Sequence, residues 1–351
     1  MPEEPVSPSP YADFVAGLPK AEIHVHHVGS ASPRIVSELA ARHPGTVPTD
    51  LDALREFYTF RDFGHFVEVY LAVVDLLREP EDIRLLTYEV ATDMAAQNIR
   101  YAELTLTPVT SVQAGVPIEA YVEAVEDARV AAERDHGIRL RWVYDIPGEL
   151  GLPAGEETVR YALAPHAPAT LIGFGLGGPE VGVNRQQFAD VFARARAAGL
   201  HSVPHAGETT GPQTVWEALR DLGAERIGHG TTAVQDPGLV AHLAERGVPL
   251  EVCPTSNIAT RAVDRLENHP IRQMHDAGIT VTVNSDDPPM FGTTLNREYE
   301  IAARLLDLDE TGIAALAGNA VRASYLDEGA KTELLGQIGA YLAAVPDQPG
   351  S

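Results

Sequence analysis

Eight short apolar, β-rich runs constrain this chain more than any other feature. They are Ala21–His27, Ile99–Pro108, Ile138–Pro147, Ala169–Gly178, His201–Glu208, Arg226–Gly230, Val248–Asn257 and Ile279–Pro288. Each is bounded by turn residues, and amphipathic helical patterns lie between most of them. The stretch from Pro117 to Asp135 has apolar residues at helical spacing behind a proline suited to a first turn. Asn184 is placed to cap a helix that stops at Gly199, and another helix stops at Gly278. Strands alternating with helices pair in parallel through right-handed crossovers. Eight such units predict a TIM-type (β/α)8 barrel, and 351 residues suit one barrel.

One connection is longer than a single crossover helix. Gly29 to Asn98 predicts two or three extra helices inserted after the first strand, with a segment rich in Phe and Tyr. An insertion there sits at the C-terminal face of the barrel, either as a lid or as ordinary helix packing. After Pro288 the chain reads as helical to about Ala344. Residues 1–13 read as a disordered, Pro-rich tail and residues 14–345 as a single barrel domain.

Composition removes several function classes. The formal net charge is -24, which argues against nucleic-acid and anionic-membrane partners. Cys253 is the only cysteine, so neither an internal disulfide nor an all-cysteine metal site can form. No membrane-length apolar run and no signal-peptide pattern appear, so the chain reads as cytoplasmic. The oligomeric state stays open, a homo-oligomer included.

The strand ends carry the chemistry, because a barrel brings them to one rim. The first run ends in His24-Val25-His26, whose imidazoles point to the same face. The fifth ends in His205-Ala206-Gly207-Glu208, the sixth around His229, and the eighth in Asp286-Asp287. His24, His26, His205 and Asp286 offer three imidazoles and a carboxylate, a set suited to a divalent ion such as zinc with an open position for water. Glu208 reads either as a general acid with a raised pKa or as a first-turn carboxylate of the next helix. His229 reads either as the group that takes a proton from the attacking water or as a satisfied core histidine. Asp287, facing away from Asp286, needs a separate role. Gly173, Gly175, Gly177 and Gly178 would let a flat ligand approach the backbone of the fourth strand. No Gly-Lys-Ser/Thr follows them, so a phosphate loop is not indicated. The remaining histidines, His43, His65, His136, His166, His201, His242, His269 and His275, receive no metal role.

The motifs LPKAEIHVHHVGS, HAGE, RIGHG, CPTSN and NSDDP, in that order from about Leu18 to Tyr341, resemble the adenosine/AMP deaminase family of metal-dependent hydrolases. The resemblance implies one zinc ion per subunit held by His24, His26, His205 and Asp286, and hydrolytic removal of the 6-amino group of an adenine ring. It implies that Glu208 protonates ring N1, that His229 and Asp286 serve the attacking oxygen at C6, that Asp287 holds N7, and that Gly178 meets N3. The CPTSN segment reads as support for the rim, with no firm role for Ser256 or Asn257.

The chain departs from the family at Val28. The usual pattern is His-x-His-Leu-acid-Gly, and here it is His24-Val25-His26-His27-Val28-Gly29. The family's acid accepts a hydrogen bond from the ribose 5′-hydroxyl, which valine cannot do. Burying that hydroxyl unpaired would cost about 1–3 kcal/mol. A substrate without a free 5′-hydroxyl is therefore expected, with Val28 against its substituent. Thr105 stands where adenosine deaminases commonly carry an arginine. The segment HVHHVGSASP looks most like family members acting on 6-amino-6-deoxyfutalosine in menaquinone synthesis; adenosine, 5′-methylthioadenosine and S-adenosylhomocysteine are the alternatives. His27 reads either as a partner for a carboxylate on such a substituent or as a loop residue facing solvent. A non-catalytic nucleoside-binding protein and a binuclear phosphotriesterase-like hydrolase are the rival classes. The intact Glu208 speaks against the first, and the absence of a lysine at the fourth strand end against the second.

Overall fold

The computed structural model describes residues 9–61 and 63–345. Nine strands follow in chain order: β1 (Lys20–His26), β2 (Ile99–Leu106), β3 (Arg139–Pro147), β4 (Leu171–Gly177), β5 (His201–Ser202), β6 (His205–Ala206), β7 (Ile227–His229), β8 (Leu250–Val252) and β9 (Val281–Val283). All neighbouring pairs are parallel. β1 to β5 form one continuous ladder and β6 to β9 another. A parallel bridge between Val25 and Asp286 joins the last strand to the first, so the sheet closes into the expected barrel.

The fifth barrel position is split for a chemical reason. Pro204 has no N–H to give to β4. Val203 N still donates to Phe174 on the β4 side, whereas the Pro204 carbonyl accepts from Gly228 on the β7 side. The chain thus changes partner across the proline, and the short β6 carries His205 to the rim.

The core contains Trp142, Tyr101, Tyr144 and Phe174, all fully buried. One polar cluster crosses it: Arg226 donates to both Glu103 and Glu251. A buried arginine is tolerated when its fork is satisfied in this way. Asn184 does accept from the Gln186 N–H, but the turn it caps is a 3₁₀ segment, Arg185–Phe188, ahead of the helix Ala189–Ala197.

Among the described residues the insert after β1 holds four helices, Pro33–Arg42, Leu51–Phe57, Phe63–Val74 and Pro80–Ala95, rather than two or three. The extra boundaries come from local capping: Asp50 accepts from the Asp52 and Ala53 N–H groups, and Glu79 and Asp82 form a capping box around Pro80. Phe66 packs on Phe291 after β9 with ring centroids 4.9 Å apart, which holds the helix Phe63–Val74 across the rim. Of the expected tail, residues 1–8 lie outside the described residues. Within the described residues a helix runs over Ala12–Gly17, across the expected boundary between tail and domain. No helix among the described residues is long and apolar enough to cross a membrane.

Candidate active site

The strand ends converge as the barrel demands. His26 Nε2 lies 3.1 Å from His205 Nε2 and 3.2 Å from Asp286 Oδ1, and His24 Nε2 lies 3.5 Å from the same oxygen. These separations match the edges of a tetrahedron whose centre is about 2 Å from each corner, the radius of a zinc-type site. Second partners fix the tautomers. His24 Nδ1 donates to Glu251 Oε2 at 2.8 Å and His205 Nδ1 to the Leu176 carbonyl at 2.9 Å. Each Nε2 therefore turns a lone pair to the common centre. His24 Nε2 is buried without a hydrogen-bond partner among the described residues. The donor set fits a divalent metal ion.

Burial lowers His24, but Asp286 and Glu251 outweigh it and raise the imidazole to about 10, a proton that a cation in the cradle would displace. Burial disfavours ionised Asp286, yet the imidazoles of His24, His26 and His229 beside it outweigh that and hold the carboxyl well below its ordinary range. Burial, reinforced by His24 and His26, keeps His205 neutral. Ser256 Oγ donates to Asp286 Oδ2 at 2.6 Å and fixes the carboxylate plane.

Glu208 stands beside this centre. Burial first, then the charges of Asp286 and Glu180, push its carboxyl up to about 8, so it carries a proton at neutral pH. Thr260 Oγ1 donates to its Oε1 at 2.9 Å. The loop that presents it is tied down by Glu180, whose Oε2 accepts from the Thr209 and Thr210 N–H groups at 2.7 and 3.0 Å.

A relay sets the proton of His229. The Ile271 N–H donates to His269 Nδ1, so neutral His269 carries its hydrogen on Nε2 and gives it to Asn257 Oδ1 at 3.1 Å. The Asn257 amide then donates through Nδ2 to His229 Nδ1, also at 3.1 Å. Burial pushes His229 down to about 4, so it is neutral with its hydrogen on Nε2. That N–H points between Asp286 Oδ2 at 3.9 Å and Glu208 Oε2 at 3.7 Å. The backbone accepts the left-handed region at His229 (φ 62°) and Asp286 (φ 65°). Such conformations cost on the order of 1–3 kcal/mol and concentrate at functional sites.

Asp287 folds back over Gly29. A Cβ on Gly29 would sit 1.5 Å from Asp287 Oδ1, so only glycine fits there. Above these groups opens a cavity of about 1070 Å³, including open solvent, with Val28, Phe66, Tyr70, Thr105 and Gly178 on its walls. Among the described residues no lysine or arginine lines it.

A family model, described as adenosine deaminase, matches residues 19–341. The chain belongs to the adenosine deaminase family. A relative from Streptomyces avermitilis named aminodeoxyfutalosine deaminase is 64% identical, with 94% of this chain and 93% of that protein covered. The solved structure of an adenine deaminase from Arthrobacter aurescens superposes with a TM-score of 0.88 at 33% identity, covering 93% of this chain and 100% of that one. An amidohydrolase from Burkholderia ambifaria solved with bound Zn gives a TM-score of 0.87 at 26% identity over 98% of both chains. As a member of the adenosine deaminase family, the protein is a hydrolytic deaminase on a TIM barrel.

All nine residues singled out from the sequence, His24, His26, Val28, Gly178, His205, Glu208, His229, Asp286 and Asp287, line the cavity or the metal cradle beneath it. Three expectations change. Gly173, Gly175 and Gly177 make room for neighbouring side chains, not for a ligand: built Cβ atoms would meet Val143 at 2.9 Å and Asp145 at 2.7 and 2.3 Å. His27 does not face solvent; its Nε2 meets Thr87 Oγ1 at 2.9 Å, and burial pushes it down to about 3, so it brings no charge to a carboxylate. Of the two readings of His229, proton acceptor or satisfied core histidine, the relay speaks against the first, because it places the hydrogen on Nε2. Glu251, Thr260, Asn257 and Asp145 were missed. Only the CPTSN motif signalled one of them in advance.

Proposed function

We propose that the protein deaminates a 5′-substituted adenine nucleoside, 6-amino-6-deoxyfutalosine, to futalosine and ammonia in menaquinone synthesis, in the cytoplasm. The observation that carries this reading is Val28. It is half-buried on the cavity wall where the family's acid would meet a 5′-hydroxyl. The likeness to the Streptomyces aminodeoxyfutalosine deaminase supports it. Thr105, Thr107, Thr110 and Ser111 continue the wall beyond Val28 and offer uncharged hydroxyls to the distal end of a 5′ substituent.

One zinc ion per subunit, held by His24, His26, His205 and Asp286, would polarise the attacking water. The chain's own groups do the rest. Asp287 and the Gly178 backbone hold N7 and N3, which brings C6 over the cradle and N1 to Glu208. Protonated Glu208 gives its proton to N1 as the water oxygen adds to C6. His229 donates its Nε2–H to that oxygen and orients it, and Asp286 accepts the water's proton. Two protons leave the water: one reaches the departing amino group as ammonia forms, and the other returns Glu208 to its acid form.

The test compares deamination rates, followed by ultraviolet absorbance, on 6-amino-6-deoxyfutalosine, adenosine, 5′-methylthioadenosine and S-adenosylhomocysteine with zinc-loaded protein. A preference of about 100-fold or more for the futalosine compound over adenosine, roughly 2.7 kcal/mol, is expected. Equal or better use of adenosine overturns the reading and leaves a purine-salvage deaminase.

A further inference from the structure

Asp145, at the rim end of β3, is a buried acid that the deamination chemistry does not use. It is 4% exposed, and its Oδ1 has no hydrogen-bond partner among the described residues. The fold makes deliberate room for it. Asp145 pairs in register with Gly175, and Cβ atoms built on Gly175 and Gly177 would come within 2.7 Å of Oδ1 and 2.3 Å of Oδ2. Two adjacent inward-facing glycines thus lay the carboxyl flat on the inner face of β4, one oxygen deeper and one at the rim. The side chain lines the cavity together with His26, Tyr70 and Thr105. A buried polar group left unsatisfied costs about 1–3 kcal/mol; neither carboxyl oxygen accepts a hydrogen bond among the described residues, and Oδ2, at the rim beside Gly177, is the one within reach of a ligand.

The barrel order says what that partner is. With N3 at Gly178 beyond β4, N7 at Asp287 beyond β9, and C6 and N1 facing His205, Glu208 and His229, the remaining edge of the purine carries N9. That edge points to the arc of β1, β2 and β3. Whatever is attached at N9 lies over Val28, Thr105 and Asp145. We infer that Asp145 is a substrate-binding residue that hydrogen-bonds a ribose hydroxyl, 2′ or 3′, and so selects a ribonucleoside over a free base or a deoxynucleoside. This rests on the deaminase reading above for the pose of the ring, but not on the identity of the 5′ group.

The test keeps the 5′ group constant and changes only the sugar. kcat/KM is measured for a ribonucleoside and its 2′-deoxy and 3′-deoxy analogues, on whichever 5′ group the substrate comparison favours, in wild type, Asp145→Ala and Asp145→Asn. Metal content is measured alongside. Wild type is expected to prefer the ribonucleoside over one analogue by about tenfold or more, and Asp145→Ala to bring that ratio close to one. A purely structural role for Asp145 would lower all rates together and leave the ratio intact, which overturns the inference, as does a wild type indifferent to both hydroxyls. Asp145→Asn keeps the side-chain volume if the alanine variant does not fold. Dissociation constants for the same ligands on Glu208→Gln protein give the ratio without turnover, so a wrong 5′ group and a wrong sugar contact give separate results.

Discussion

Asn257 Nδ2 lies 3.1 Å from His229 Nδ1, and this contact decides which face of the imidazole carries the hydrogen. Asn257→Asp would replace the donor with an acceptor and require the hydrogen on Nδ1. His229 would then turn a lone pair, or the second proton of an imidazolium, toward the attack site. We expect kcat to fall on the order of 10²–10⁴-fold with metal content unchanged, the scale seen when a histidine tautomer is inverted. Full activity in that variant would mean that His229 works as a base.

Glu251 acts on the cradle from outside. Its Oε2 accepts from His24 Nδ1, and its other oxygen accepts from Arg226. Glu251→Gln should weaken metal binding about 10–100-fold, read by competition with a chelator. Retained affinity would show that Leu176 and Ser256 alone orient the ligands.

Val28→Asp restores an acceptor for a 5′-hydroxyl. The ratio of kcat/KM for adenosine to that for 6-amino-6-deoxyfutalosine should rise by about 10-fold or more in the variant. An unchanged ratio would remove Val28 from the specificity argument.

Glu208 must hold a proton to deliver one. Its carboxyl is raised to about 8 by burial and by Asp286 and Glu180, so the acid form is present below that value and lost as pH rises through it. A bound cation draws the midpoint lower without changing the sign. kcat should therefore show an alkaline limb, and Glu208→Gln should lose about 10²–10⁴-fold in kcat at every pH. A limb that survives in Glu208→Gln belongs to another group.

Lys20 gives a stability signature away from the site. Fully buried, it donates to the Val15 and Leu18 carbonyls at 2.6 and 2.7 Å. Burial lowers it to about 7 from 10.5. Between those values the unfolded chain holds a proton that the folded one lacks, so this group makes stability rise with pH there. Denaturation midpoints at pH 7 and pH 10 should show a smaller rise in Lys20→Met than in wild type.

The barrel and most of its rim are legible in local pattern. Apolar runs of period two and amphipathic runs of helical period are local signals, and eight of them admit few topologies. His24 and His26 share a face because residues two apart on any strand do. HAGE and SDDP could be placed because parallel strands in a barrel all end at one rim.

The groups that support those residues come from contacts between segments distant in the chain. The relay from Ile271 through His269 and Asn257 to His229 joins the segment after β8 to β7, and no periodicity connects them. Glu251 meets His24 across 227 residues of sequence. The glycines of β4 read as space for a ligand, but the neighbouring strand brings Val143 and Asp145 into that space. His27 reads as a loop residue, but the inserted helix Pro80–Ala95 covers it with Thr87. In each case the sequence supplies the chemical group, while the partner that sets its proton, orientation or solvent exposure comes from another strand or helix. Such pairings follow from closure of the barrel and packing of the insert, not from local pattern.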